Sequence, residues 1–260
     1  MQVDANGIGM HYRIDGPADA PWLMFGNSLA TDLSMWDAQA AYFAPQYRVL
    51  RYDQRGHGQT EAPAGRYSFE ILIADAIALM DALAIARAHY CGLSMGGATA
   101  MGLAMRHPER LDHVVICDTP CASSPASAQQ WEERIAIARA QGMAVLADPT
   151  LARWFPPETV AAMPPHLMKI RKMIMSTPVN GFIGCAAALA DHDFRTAVRT
   201  VDKPVLFVVG EKDGAVPAAM RQMQLELRGS RFVELPGAGH ISNLDRPDLF
   251  NRAVENFLRT

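Results

Sequence analysis

No apolar run in this chain approaches the ~20 residues that a membrane-spanning helix needs. Nor does one sign of charge dominate. The 24 basic and 27 acidic residues are spread along the chain and leave a net charge of −3. That excludes the basic stripe of a nucleic-acid binder and the polybasic segment of a membrane-surface protein. Cysteines are few: Cys91, Cys117, Cys121 and Cys185, none in C-x-x-C spacing. This argues against a metal site and for reduced thiols in a cytoplasmic protein. Met1-Gln2-Val3-Asp4-Ala5 lacks the charged and apolar regions of a signal peptide. Internal repeats and low-complexity segments are also missing. What is present is a 260-residue chain, 50% hydrophobic, enough for one large core.

Residues 1–14 predict a hairpin turning at Asn6-Gly7. Strand patterns follow at Trp22–Gly26, Arg48–Tyr52, His89–Leu93, Val114–Asp118, Val205–Gly210 and Phe232–Leu235. Helical patterns lie between them, the clearest over Phe69–Ala88, with Ser68 as a plausible N-cap and Glu70 suiting the first turn. Strands alternating with helices predict an α/β fold, a mostly parallel sheet with helices on both faces. Residues 121–199 break the alternation: they hold helical patterns and no convincing strand. These are Gln130–Gln141, Pro149–Trp154 with Asp148 as N-cap, Pro165–Ser176 and Phe182–Asp191, with breaks at Pro156-Pro157 and Pro164-Pro165. The chain therefore divides into a core, 1–120 with 200–260, and a helical lid, 121–199, inserted between strands.

The most telling motif is Gly92-Leu93-Ser94-Met95-Gly96, a G-x-S-x-G. A strand-like run precedes it and a helix-like run, Ala98–Arg106, follows. In that context the serine occupies a sharp, strained turn that exposes its hydroxyl at the sheet edge. Outside it, the same pentapeptide is a glycine-rich turn with an ordinary serine. A serine nucleophile needs a base, and the base needs an orienting acid. Asp213 follows the strand Val205–Gly210, and His240 follows Arg231–Leu235 within Pro236-Gly237-Ala238-Gly239-His240. Asp118, at the end of another strand, is the alternative acid, and Glu211 is a neighbouring one. His57 sits in a turn, and the remaining histidines fall in strand or helix patterns or at helix ends, where a structural role is the default.

An oxyanion hole needs two N–H donors. Met95, after the nucleophile, supplies one. The loop Asn27-Ser28-Leu29-Ala30-Thr31-Asp32 after the first central strand supplies the other, from Leu29. The Asn27 and Ser28 side chains suit turn chemistry. Ser28 is also a candidate substrate-lining residue, with Trp131, Arg134, Met143 and Trp154 of the lid. Arg134 lies three residues after Trp131, on the same helix face; it either points into the pocket or stands on an exposed surface.

These segments resemble the α/β-hydrolases, and in particular the 3-oxoadipate enol-lactonases of the β-ketoadipate pathway. The likeness spans Asn27–Asp32 with Met35-Trp36, Arg51–Gly58, Gly92–Gly97, Trp131 with Arg134-Ile135, Gly142-Met143, Arg153-Trp154-Phe155, Gly184–Ala187 and Gly239–Asn243. The chain departs from the family's usual glycine at Ala30 and from its usual residues at Ala98-Thr99-Ala100. The resemblance implies an α/β-hydrolase fold, an ester or lactone as small-molecule substrate, and cofactor-free, metal-free hydrolysis through an acyl-enzyme. A broader carboxylesterase, a C–C bond hydrolase of ring-cleavage products, and a non-catalytic receptor of the same fold are the alternatives. Oligomeric state is not legible.

Overall fold

The computed structural model describes residues 1–196 and 198–260. Eight strands form one sheet: β1 (Gln2–Ala5), β2 (Ile8–Asp15), β3 (Trp22–Gly26), β4 (Arg48–Tyr52), β5 (Ala88–Leu93), β6 (Leu111–Cys117), β7 (Val205–Gly210) and β8 (Arg231–Leu235). Their order across the sheet is β1-β2-β4-β3-β5-β6-β7-β8. β1 and β2 form a hairpin whose turn residues, Asn6 and Gly7, both have positive φ (51° and 75°), as a tight two-residue turn demands. β2 runs antiparallel to β4, and from β4 to β8 every neighbouring pair is parallel. Every residue of β5 and of β7 is buried, so the centre of the sheet is covered on both faces.

The first helices are α1 (Asp37–Phe43), α2 (Phe69–Ala82) and α3 (Met95–Arg106). α2 begins as the sequence predicts but stops at Ala82, short of Ala88. Ala84 takes a left-handed conformation (φ 54°), the Ile85 N–H donates to Met80 O (2.8 Å) and the Ala84 N–H to Asp81 O (3.0 Å). That pair of bonds is a Schellman stop, usually built on glycine and here on alanine.

Between β6 and β7 come α4 (Pro125–Gln141), α5 (Ala144–Trp154), α6 (Pro157–Ala162), α7 (Pro165–Ser176) and α8 (Val179–Asp191). α4 packs on α8, and α5 on α7. α4 starts earlier than Gln130, where Ser124 Oγ accepts the Ser127 N–H (3.1 Å) and Pro125 follows as the first helical residue. The expected cap at Asp148-Pro149 is corrected: α5 already runs from Ala144, with Pro149 inside it. Proline there forgoes one helical bond, to the carbonyl of the exposed Val145, which water can satisfy. Asp148 instead pairs with Arg171 of α7 (2.6 Å). α6 had no clear sequence signal, and α8 starts three residues before Phe182.

The insertion leaves and rejoins the core through two paired segments. Ser123 N–H donates to His192 O (3.0 Å) and Phe194 N–H to Cys121 O (2.7 Å). At its far side α8 rests on the Arg55-Gly56 loop backbone to backbone: a Cβ on Gly181 would lie 1.9 Å from Gly56 O. α9 (Val216–Glu226), α10 (Ser242–Asp245) and α11 (Pro247–Leu258) complete the chain. Among the described residues no single helix is long and apolar enough to cross a membrane.

Candidate active site

Ser94 occupies the turn from β5 into α3 with φ 57° and ψ −114°, a strained backbone for a side chain to adopt. The surrounding glycines force this. A Cβ on Gly92 would lie 2.0 Å from Gly96 O, and one on Gly96 would lie 2.2 Å from Gly26 O. Strand and helix therefore close until the Ser94 side chain is squeezed out at the carboxyl edge of the sheet. Its N–H is anchored on Cys117 O of β6 (2.8 Å).

Two loops from β7 and β8 meet it there. His240 Nε2 lies 3.0 Å from Ser94 Oγ, and His240 Nδ1 lies 2.8 Å from Asp213 Oδ2. A neutral imidazole protonated on Nδ1 satisfies both contacts: it donates to the carboxylate and accepts the serine hydroxyl. The helical insertion holds the same imidazole. Trp154 O accepts the His240 N–H (2.7 Å), and the Trp154 indole stacks on the ring at 5.7 Å and 29°.

Asp118, the alternative acid, does not touch His240. It is fully buried, in a left-handed conformation (φ 49°), and accepts the Gly210 N–H (2.8 Å) and the Ser242 hydroxyl (2.5 Å). Burial, and then the charge of Asp213, push its carboxyl well above the usual range. Glu211 accepts the Gly237 N–H (2.7 Å) at an exposed turn.

The β3 loop is drawn against the head of α3 by the bond from Gly96 N–H to Asn27 O (2.9 Å). Among the described residues neither the Leu29 nor the Met95 backbone N–H has an acceptor. The next residue, Ala30, has φ 58° and donates its N–H to His57 Nε2 (2.9 Å), while His57 Nδ1 donates to Arg55 O (3.1 Å). Burial lowers the His57 pKa and so keeps it neutral, the state that can accept this bond. The sequence offered His57 only as a turn residue; its place as the prop of the Leu29 loop depends on a contact 27 residues away.

A hollow of about 220 Å³ opens over Ser94, with Leu29, Trp131, Arg134, Arg153, Trp154 and Leu189 among its walls. Ser28 and Met143, expected to line it, do not. The turn that presents Leu29 folds Ser28 inward, wholly buried, and Met143 packs into the hydrophobic core just ahead of α5. Arg153 was not singled out in the sequence as a lining residue, because its facing depends on where α5 starts. The Arg134 guanidinium lies 4.6 Å from the centre of the Trp131 ring, and that of Arg153 lies 5.9 Å from it. Desolvation lowers the pKa of both, and Arg153, with Arg134's charge beside it, falls to about 10. Arg153 is open to water on its own surface yet hemmed in by surrounding protein, as befits a side chain standing in a hollow. Among the described residues no carboxylate forms an ion pair with either arginine, and no three potential metal ligands converge.

Residues 20–253 match the Alpha/beta hydrolase family. The chain belongs to that family. It is 38% identical over 257 residues to 3-oxoadipate enol-lactonase 2 of Acinetobacter baylyi, covering 99% of this chain and 96% of the relative. The enol-lactonase of Burkholderia xenovorans LB400 is similar over 100% of both chains, with 42% identity and a TM-score of 0.96. A thermophilic esterase from Thermogutta terrifontis, solved with malate bound, is 27% identical with a TM-score of 0.93 over 100% of this chain and 98% of its own. The eight-stranded, mostly parallel sheet is thus that of an alpha/beta hydrolase.

Proposed function

We propose that the protein is a serine hydrolase that opens a lactone carrying a carboxylate, with 3-oxoadipate enol-lactone as the favoured substrate. The observation that carries this is the unbroken hydrogen-bonded chain from Ser94 through His240 to Asp213, accompanied by two backbone N–H groups, of Leu29 and Met95, without acceptors among the described residues. Its relatives' names supply the lactone.

His240 takes the Ser94 proton as Oγ attacks the lactone carbonyl. The Leu29 and Met95 N–H groups hold the developing oxyanion. Collapse breaks the acyl–oxygen bond, His240 returns the proton to the leaving oxygen, and the released enol tautomerises to a ketone. Water, deprotonated by His240, then hydrolyses the acyl-enzyme. Asp213 fixes the imidazole tautomer and stabilises its charged form. Every step uses the chain's own groups, without a cofactor. Arg134 receives the substrate carboxylate, a charge costly to bury without a partner. The insertion, residues 121–199, acts as a lid: Trp131 and Trp154 roof the hollow, and Trp154 also steadies the base. The four free thiols suit a reducing, cytoplasmic setting.

Assaying the enol-lactone beside simple esters tests the proposal. The expected result is a kcat/KM for the lactone well above that for uncharged esters. Equal or better turnover of simple esters would leave a broad carboxylesterase.

A further inference from the structure

Arg134 and Arg153 crowd one indole, and neither has an acid partner among the described residues. Two like charges crowded on one indole in one hollow repel each other, and an anion between them relieves that. The arginines differ in what surrounds them. The acid that acts on Arg134 is Glu133, on its own helix. The acid that acts on Arg153 is Asp213, the partner of His240. Arg153 also directly precedes Trp154, whose carbonyl and ring hold His240. It lines the same hollow as Ser94, Asp213 and His240.

We infer that Arg153 forms a second carboxylate subsite and that the hollow is matched to a dicarboxylate. This rests on the lactonase reading, in which the substrate carries one carboxylate. Hydrolysis creates another: water adds across the acyl–oxygen bond, the ring opens, and the new carboxylic acid releases its proton to solvent. A monoanion becomes a dianion beside Ser94, and a second guanidinium is available for it. A guanidinium can grip each carboxylate with two parallel hydrogen bonds. Linear dicarboxylates should accordingly bind more tightly than monocarboxylates of equal length and act as product-like inhibitors.

Calorimetric titration of the wild-type protein with adipate and with hexanoate tests this. Adipate should bind about tenfold more tightly or better, the scale of one charged hydrogen-bonded contact. Arg153→Gln should abolish that advantage while hexanoate binding persists, and Arg153→Lys should retain most of it. Arg134→Gln should weaken both ligands. Equal wild-type affinities, or an undiminished adipate advantage in Arg153→Gln, would overturn the inference. Should Arg153→Gln fail to fold, the salt dependence decides: the wild-type advantage must shrink as ionic strength rises from ~0.01 to ~0.15 M, and a constant ratio refutes the subsite. If the enzyme cleaves the lactone and binds hexanoate through Arg134 but shows no preference for adipate, this inference falls and the lactonase reading stands. If the adipate preference holds while the lactone is not cleaved, the reading falls and the subsite stands.

Discussion

Asp118 and Asp213 leave adjacent strands of the sheet, and only Asp213 reaches the imidazole of His240. Asp118 turns away, tying Gly210 of the Asp213 strand to Ser242 of the His240 loop. Asp213→Asn should therefore lower kcat severely, toward the ~10⁴-fold loss known for removing the orienting acid of such a triad. Asp118→Asn should cost far less: asparagine tolerates the left-handed backbone and keeps an acceptor for the Gly210 N–H. Steady-state kinetics of the two variants decide, and the reverse order would move the acid to β6.

Ser94→Ala should fold normally and lose nearly all hydrolysis, with at most ~10³–10⁴-fold acceleration over water surviving through the oxyanion hole and binding. Near-normal turnover would sink the serine mechanism. EDTA should leave the wild-type rate unchanged, since no step draws on a metal; loss of activity restored by added metal would contradict that.

A pH effect on stability arises on the side of the sheet away from the hollow. The rings of His89 and His113 lie 5.0 Å apart, and Nδ1 of each is buried without a hydrogen-bond partner. Burial, and for His89 the neighbouring His113, lower both pKa values, that of His89 to about 4. In the unfolded chain a histidine titrates near ~6.5. A depressed folded pKa stabilises the fold above the unfolded value, and that contribution is lost as pH falls through the folded one. Between pH ~6.5 and ~4.5 the wild type should thus lose a few degrees more of Tm than His89→Gln. Parallel Tm–pH curves for the two proteins would rule this out.

Ser94, Asp213 and His240 were legible because each stands where an apolar strand ends in turn residues, and strand ends of a parallel sheet share one edge. The two backbone N–H groups proposed as oxyanion donors, of Leu29 and Met95, are read from the same logic. Features set by distant contacts stayed hidden. Asp148-Pro149 has the composition of a helix start, but Asp148 is engaged by Arg171 and the helix has begun a turn earlier. That register decides where Arg153 faces. α2 stops on an alanine at positive φ, where sequence alone expects glycine. Ser28 and Met143 were misplaced because burial inside a turn or a helical corner depends on how the chain folds back, not on residue type.

Arg134 gives the sharpest test of substrate choice. It lines the hollow over Ser94, against Trp131, with no carboxylate of the protein to satisfy it among the described residues. A carboxylated lactone supplies the missing anion, whereas an uncharged ester supplies nothing. Arg134→Ala should therefore cost ~1.5–3 kcal/mol in kcat/KM for the carboxylated lactone, the range for hydrogen bonds to a charged group. The loss on p-nitrophenyl acetate should be much smaller, because only packing against Trp131 is removed there. The ratio of the two kcat/KM values reads the effect free of any general damage to the helical insertion. If both substrates lose equally, Arg134 serves the architecture of the insertion rather than recognition, and the carboxylate must be held elsewhere.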